Sequence, residues 1–136
     1  MFPKDLLYTK SHEWVKVEGD EAIIGITSYA QEELGDIVYV DFSNIYEDGE
    51  FSTEEIEKEE TICSIESVKA VSDVYAPITI TPTEINPELE DTPEIVNSDP
   101  YGKGWLLKGK IVKKEELNEL LSAEDYEKFV EEEKNK

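Results

Sequence analysis

Apolar positions recur along most of this chain in short alternating runs, and only near the end do they fall into a helical period. From Trp14 to Val17 polar and apolar residues alternate, Ala22-Ile23-Ile24-Gly25-Ile26 is a compact apolar run, and Gly19-Asp20 between them predicts a β-hairpin. Thr27 to Gly35 reads as a short helix, with Ser28 and Gln31 at capping-box spacing and Gly35 as a left-handed stop. Asp36 to Phe42 returns to strand character. Val38, Val40 and Phe42 share one face and Ile37 and Tyr39 the other, which predicts a central strand. Two further strands, Thr61–Ile65 and Val71–Tyr75, are separated by a hairpin-sized gap, Glu66-Ser67-Val68-Lys69-Ala70. Another β-rich run, Ile78-Thr79-Ile80, lies between turn signals at Ala76-Pro77 and Thr81-Pro82, and Trp105–Val112 reads as a strand.

Two stretches break the pattern. Ser43 to Glu60 reads as a solvated acidic loop, because between Glu47 and Glu60 eight acidic residues face one lysine, Lys58. Asn86 to Pro100 reads as a polar surface loop with three prolines and no positive charge. Leu117, Leu120 and Leu121, then Tyr126, Phe129 and Val130, recur at helical spacing over about residues 114–133, and Ser122 and Asp125 are placed to cap the second segment. The expected architecture is a single, mainly β domain spanning 1–136, a sandwich or flattened barrel with a short internal helix and helices at its C-terminal end.

Composition narrows the functional classes. Thirteen Lys+Arg against thirty-four Asp+Glu give a formal charge of -21, which repels phosphate backbones and anionic membranes and favours basic partners and a monomeric state. One cysteine, Cys63, and one histidine, His12, cannot make an intramolecular disulfide or a Cys/His zinc site, so no metal is expected. The N-terminal stretch has neither a basic, Ser-rich presequence nor an apolar signal core, and no run approaches membrane-spanning length. A soluble, cytoplasmic protein is the expectation.

Enzyme chemistry finds little support. His12 is the only imidazole, but neighbouring residues on a strand point to opposite faces, so Ser11 and His12 are not a nucleophile–base pair, and no Gly-x-Ser-x-Gly elbow occurs. Tyr101-Gly102-Lys103-Gly104 lacks the Gly-Lys-Ser/Thr ending of a phosphate-binding loop. What stands out is Lys69, a lysine at the apex of a tight turn, where its amine is held clear of the surface and open to acylation by another enzyme. Glu66, Ser67 and Asp73 flank that apex. There the carboxylates could pair with the lysine before modification or bond to an arm afterwards; the plainer role of Ser67 and Asp73 is local turn hydrogen bonding.

The order and spacing of several short motifs resemble the H-protein family of the glycine cleavage system. They are Ser11-His12-Glu13-Trp14, the run from Gly25 through Val38, Glu66-Ser67-Val68-Lys69-Ala70, Asp73-Val74-Tyr75-Ala76-Pro77, and Asn97-Ser98-Asp99-Pro100-Tyr101-Gly102 with Gly104-Trp105. The resemblance implies a lipoyl/biotinyl-type sandwich of two small sheets, with lipoic acid attached covalently to Lys69. Such a carrier takes an aminomethyl group from a pyridoxal-phosphate glycine decarboxylase to a folate-dependent aminomethyltransferase. A dihydrolipoamide dehydrogenase reoxidises the arm and lipoylating enzymes install it. By the same resemblance the chain is a non-catalytic carrier, Glu66, Ser67, Val68 and Ala70 frame the attachment site, and Ser11, Glu13 and Asp73 belong to a cleft that receives the loaded arm.

The chain also departs from the family pattern. Ile80 stands where a glycine is expected after Ala76-Pro77, Pro82 interrupts the following strand, the acidic loop before Thr61 is longer than usual, and Cys63 replaces a small Gly or Ala. Three other readings compete. A biotin carrier is opposed by Val68 and Ala70, where methionines usually flank the lysine. An H-like protein that relays lipoyl groups to 2-oxoacid dehydrogenases shares the same motifs. An acidic interaction module would leave the lysine unmodified.

Overall fold

The computed structural model describes residues 2–136. Within them the alternating runs form strands β1 (Leu7–Tyr8), β2 (Glu13–Glu18), β3 (Glu21–Ile26), β4 (Ile37–Asp41), β5 (Tyr46–Glu47) and β6 (Glu50–Phe51). They continue as β7 (Thr61–Ser67), β8 (Val71–Tyr75), β9 (Ile80–Ile85) and β10 (Leu107–Ile111). A five-stranded sheet has the order β1-β2-β3-β10-β9, a three-stranded sheet the order β4-β7-β8, and β5 pairs only with β6. All of these pairings are antiparallel. The expected pair of small sheets is present, and Ile24, Ile62, Ile65, Ile78, Ile80, Leu106 and Leu107 fill the core, each fully buried.

Helix α1 (Ser28–Leu34) follows β3 directly. Its cap lies one residue earlier than the capping-box spacing predicts: Thr27, not Ser28, accepts the Ala30 N–H, while the Gln31 side chain accepts from Asn97 instead. Gly35 ends the helix at φ 83°, in backbone space that L side chains rarely adopt.

Strand β4 is an edge of its sheet, not a central strand. Its register against β7 shifts between Ile37 and Tyr39, and this bulge turns Ile37 and Val40 to the core while Val38 and Tyr39 are about half exposed, at 48% and 50%. Pro82 does not interrupt β9. That strand is the outer edge of the five-stranded sheet, where a missing N–H is tolerated, and the ladder shifts at Lys108/Gly109 to accommodate it.

Neither irregular stretch is plain loop. The acidic segment contains the β5–β6 hairpin and is pinned by buried Ile45 and Ile56, the latter bridging to Ile80. Asn86 to Pro100 folds into two single-turn helices, α2 (Glu88–Asp91) and α3 (Ile95–Ser98), which bury Leu89 and Val96. Asn86 is itself buried and donates to the carbonyls of Lys103 and Trp105.

The C-terminal end comprises a 3-10 helix (Lys114–Glu119), tighter than the α-helix its leucine spacing predicts, and α4 (Ala123–Lys134). Ser122 caps α4 by accepting the Asp125 N–H. The helix buries Tyr126 and Val130 in a second cluster with Leu6, Tyr8 and Trp14. There Tyr126 stacks on Tyr8 with ring centroids 4.7 Å apart. Trp14 lies flat over Gly25, where a Cβ would come within 2.6 Å of the indole, so only glycine admits this packing.

Candidate functional site

Lys69 sits in the three-residue connection, Val68-Lys69-Ala70, between β7 and β8 and is exposed. Ser67 builds the turn beneath it. Its N–H donates to the Ala70 carbonyl at 2.8 Å, and its buried Oγ accepts the N–H groups of Lys69 at 3.2 Å and Ala70 at 3.0 Å. Ser67 is therefore occupied with turn hydrogen bonds. Val68 donates its N–H to the Asp36 carbonyl at 3.0 Å, which ties the tip to the connection between α1 and β4. Glu66 and Ala70 are exposed on either side, and Val68 and Val71 remain 69% and 68% exposed.

The lysine side chain lies beside Gly35. A Cβ there would sit 3.3 Å from Lys69 Cε and 3.9 Å from Nζ. Leu34, the preceding residue, lines a cleft of about 340 Å³ whose apolar lining also includes Ile26, Ala30, Ile65 and Val74. Asp73, Ser11, His12, Glu33 and Glu133 supply its polar lining. A separate cleft of about 460 Å³ lies on the other side of Ser11 and includes Glu13 and Tyr75. Ser11 borders both.

Ser11 and Glu13 are in direct contact, with the Ser11 hydroxyl donating to Glu13 Oε1 at 2.6 Å. Thr9 donates to the same oxygen at 2.6 Å, and the Tyr75 N–H donates to Oε2 at 3.1 Å. Burial pushes the Glu13 carboxyl above its ordinary range, opposed by the hydrogen bonds from Ser11, Thr9 and Tyr75. Asp73 lines the first cleft with Ser11, two residues along β8 from the Tyr75 that holds Glu13. Thus Ser11 and Asp73 share the cleft beside the lysine, and Glu13 stands behind Ser11.

Ser11 and His12 precede the strand, so strand alternation does not separate them. His12 has φ 73° and aims Nδ1 at the Tyr126 hydroxyl at 2.8 Å, while Ser11 bonds to Glu13. The Tyr126 hydroxyl also meets Thr27 Oγ1 at 2.7 Å, so one buried chain of contacts joins α4, His12 and the cap of α1. Burial lowers the His12 pKa, with Glu133 and Glu33 pulling it back up.

His12, Glu33 and Glu133 were not among the expected cleft residues. Glu133 lies more than sixty positions from Lys69 on the far end of α4, and nothing local in the sequence signals that meeting. The Leu34-Gly35 helix stop was visible, but not its place under the lysine. Among the described residues no group of three or more His, Cys, Asp or Glu is arranged to hold a metal ion. Cys63 is buried, and burial pushes its thiol pKa well up, away from reactivity. No described helix is long and apolar enough to cross a membrane.

Two small antiparallel sheets that hold one lysine at a tight hairpin tip define a carrier domain of the lipoyl type. A crystal structure of a glycine cleavage system H protein from Mycobacterium marinum superposes with a TM-score of 0.73 at 34% identity, covering 91% of this chain and 94% of that one. The sequence model for the glycine cleavage H-protein matches residues 6–133, and the chain belongs to that family. Glycine cleavage system H proteins from Carboxydothermus hydrogenoformans and Staphylococcus carnosus are 49% and 50% identical to it. The alignments cover 96% and 94% of this chain, and 95% and 96% of those relatives.

Proposed function

We propose that this chain is the lipoyl carrier of a glycine cleavage system, one carrier unit over residues 1–136 with Lys69 as its attachment site. The observation that supports this best is the tip itself, an exposed lysine on a turn fixed by Ser67 and by the Asp36 carbonyl. Lys69 would hold a lipoyl group in amide linkage, and that group would supply a disulfide that can be reduced as it accepts an aminomethyl unit.

The residues around the tip fit such a group. Glu66, Val68 and Ala70 present the lysine to lipoylating enzymes, and Ser67 keeps the turn closed beneath it. The cleft beginning at Leu34 offers an apolar floor for a hydrocarbon arm and carboxylates for a cationic amine. Within it Asp73 and Ser11, which both line the cleft, would face the amine. Glu13 acts through Ser11 by orienting its hydroxyl. The chain works as a non-catalytic carrier. Its chemistry belongs to the pyridoxal-phosphate decarboxylase, the folate-dependent aminomethyltransferase and the flavin dehydrogenase, and tethering raises the effective concentration of the unit each one receives.

The test is glycine-dependent exchange of labelled bicarbonate by a pyridoxal-phosphate glycine decarboxylase supplied with the lipoylated chain. Exchange that depends on the chain and vanishes with Lys69→Arg supports the reading. No exchange, together with transfer of the lipoyl group to a 2-oxoacid dehydrogenase, replaces it with the relay.

A further inference from the structure

Away from the arm cleft, the β5–β6 hairpin stands against the corner where β9 leads into α2 and walls off an elongated groove. Two hollows compose it, of about 530 Å³ and 270 Å³, sharing Tyr46, Ile85 and Pro87. Phe51 completes the floor, its ring edge-to-face with Tyr46 at 4.9 Å between centroids. The smaller hollow runs between β4 and α2 as far as Tyr39. Tyr39 pairs with Glu66 at the foot of the lysine hairpin, and beyond it lie the exposed Val38, Val68 and Val71. Partly exposed apolar surface thus leads from the groove to the Lys69 tip.

The rim is acidic. Glu50, Glu84 and Glu90 border the larger hollow, and no lysine or arginine lines either one. Glu84 pairs with Lys108 at 4.0 Å, whose ammonium also lies 4.5 Å over the Trp105 ring. An apolar floor under a net acidic rim, on which Glu84 is paired with Lys108, on a chain of formal charge -21, is complementary to a cationic segment with a bulky apolar anchor. The outer edge of β9 pairs only through the Ile56–Ile80 bridge at its start, but Pro82 removes a donor from its middle. An occupant is therefore held by side chains more than by an added strand.

We propose that this groove is a second docking surface, which seats an extended lysine- or arginine-bearing segment with one bulky apolar side chain, carried by an enzyme that works on Lys69. The proposal rests on the carrier reading. The groove gives such an enzyme a hold separate from the arm, so that affinity is set away from the chemistry. The long acidic segment, which departs from the family pattern, supplies one of its walls.

The experiment compares the lipoylated parent chain with Glu50→Lys/Glu90→Lys and with Phe51→Ser as carrier substrates. The enzymes are the pyridoxal-phosphate decarboxylase, the aminomethyltransferase, the flavin dehydrogenase and, on the unmodified chain, the lipoylating enzyme. For at least one of them the double variant raises KM about fivefold or more at low salt with kcat unchanged, and the difference shrinks as salt rises. Phe51→Ser raises KM for the same enzyme. Because Phe51 also packs against the core, the surface charge variant decides the case. Unchanged KM for all four enzymes, or a fall in kcat instead, overturns the groove while leaving the carrier intact. A parent chain accepted by none of them defeats the carrier reading and this inference with it.

Discussion

Two of the chain's tight hairpin tips are built by opposite means. At Asp48-Gly49, between β5 and β6, both central residues have positive φ, 53° and 81°, as a two-residue turn matched to strand twist requires. At Val68-Lys69 neither does: His12, Asp48 and Glu59 are the only non-glycine residues with positive φ among those described. The lysine tip is closed instead by the Ser67 side chain and by the Asp36 carbonyl. The first tip takes its shape from local backbone preference. The second takes it from contacts that reach a neighbouring element, which frees both apex positions from glycine or asparagine and allows a valine and a lysine to stand there. A carrier needs this second kind of tip, because its lysine has to be presented in one place to several enzymes.

The largest contrast is expected from removing the anchor. Ser67→Ala deletes the acceptor for two N–H groups and should cost about 1–3 kcal/mol in denaturant unfolding, with slower lipoylation of Lys69. Equal lipoylation rates in the variant and the parent would show that the tip needs no such anchor. At the other tip, Gly49→Ala meets open space, so only the positive φ opposes it. A cost of about 1 kcal/mol with unchanged lipoylation is expected. A loss of lipoylation there would erase the contrast.

A smaller effect separates the two regions by pH. The cleft beside Lys69 holds the only imidazole, and burial sets its folded pKa below the unfolded value of about 6.5. The unfolded state then binds the proton first, so His12 lowers stability as pH falls from about 6.5 toward the folded pKa, and above that window its contribution is complete. Proton NMR titration of the His12 ring, with unfolding measured at pH 7.5 and 5.5 in the parent and in His12→Gln, checks the sign. The weakest effect belongs to the acidic segment, whose one cation, Lys58, pairs with Glu119 at 2.6 Å near the surface. Lys58→Ala should cost about 0–1 kcal/mol, less at high salt, and leave lipoylation unchanged.

Much of this architecture was legible because the local signals agree with the fold. The Gly19 turn, the helix stop at Gly35, the strands on either side of Lys69 and the Ser122 cap are all residue choices that the backbone needs where it uses them. The misreadings have a common cause in tertiary context. Period-two alternation assumes no bulge, so the extra residue at Val38 made an edge strand look central. Pro82 argues against a strand only until that strand is known to be an edge. Leu89 alone and the Ile95-Val96 pair are isolated apolar residues in polar runs, too sparse to reveal the one-turn helices that bury Leu89 and Val96. At the site, Lys69 and its turn were readable from contiguous residues, and Ser11 with Asp73 came from resemblance. His12 and Glu133 enter the cleft only because Tyr126 holds α4 against the start of β2.

The central claim is that one lysine, on the tip closed by side-chain contacts, carries the lipoyl group. Peptide-level mass spectrometry of the protein isolated from its native cell, with Lys69→Arg expressed in parallel, tests it most directly. A lipoyl-sized increment confined to the peptide containing Lys69, and absent from the variant, is the predicted result. A biotin-sized increment, a lipoyl group on another lysine, or an unmodified Lys69 in cells that actively cleave glycine would contradict it.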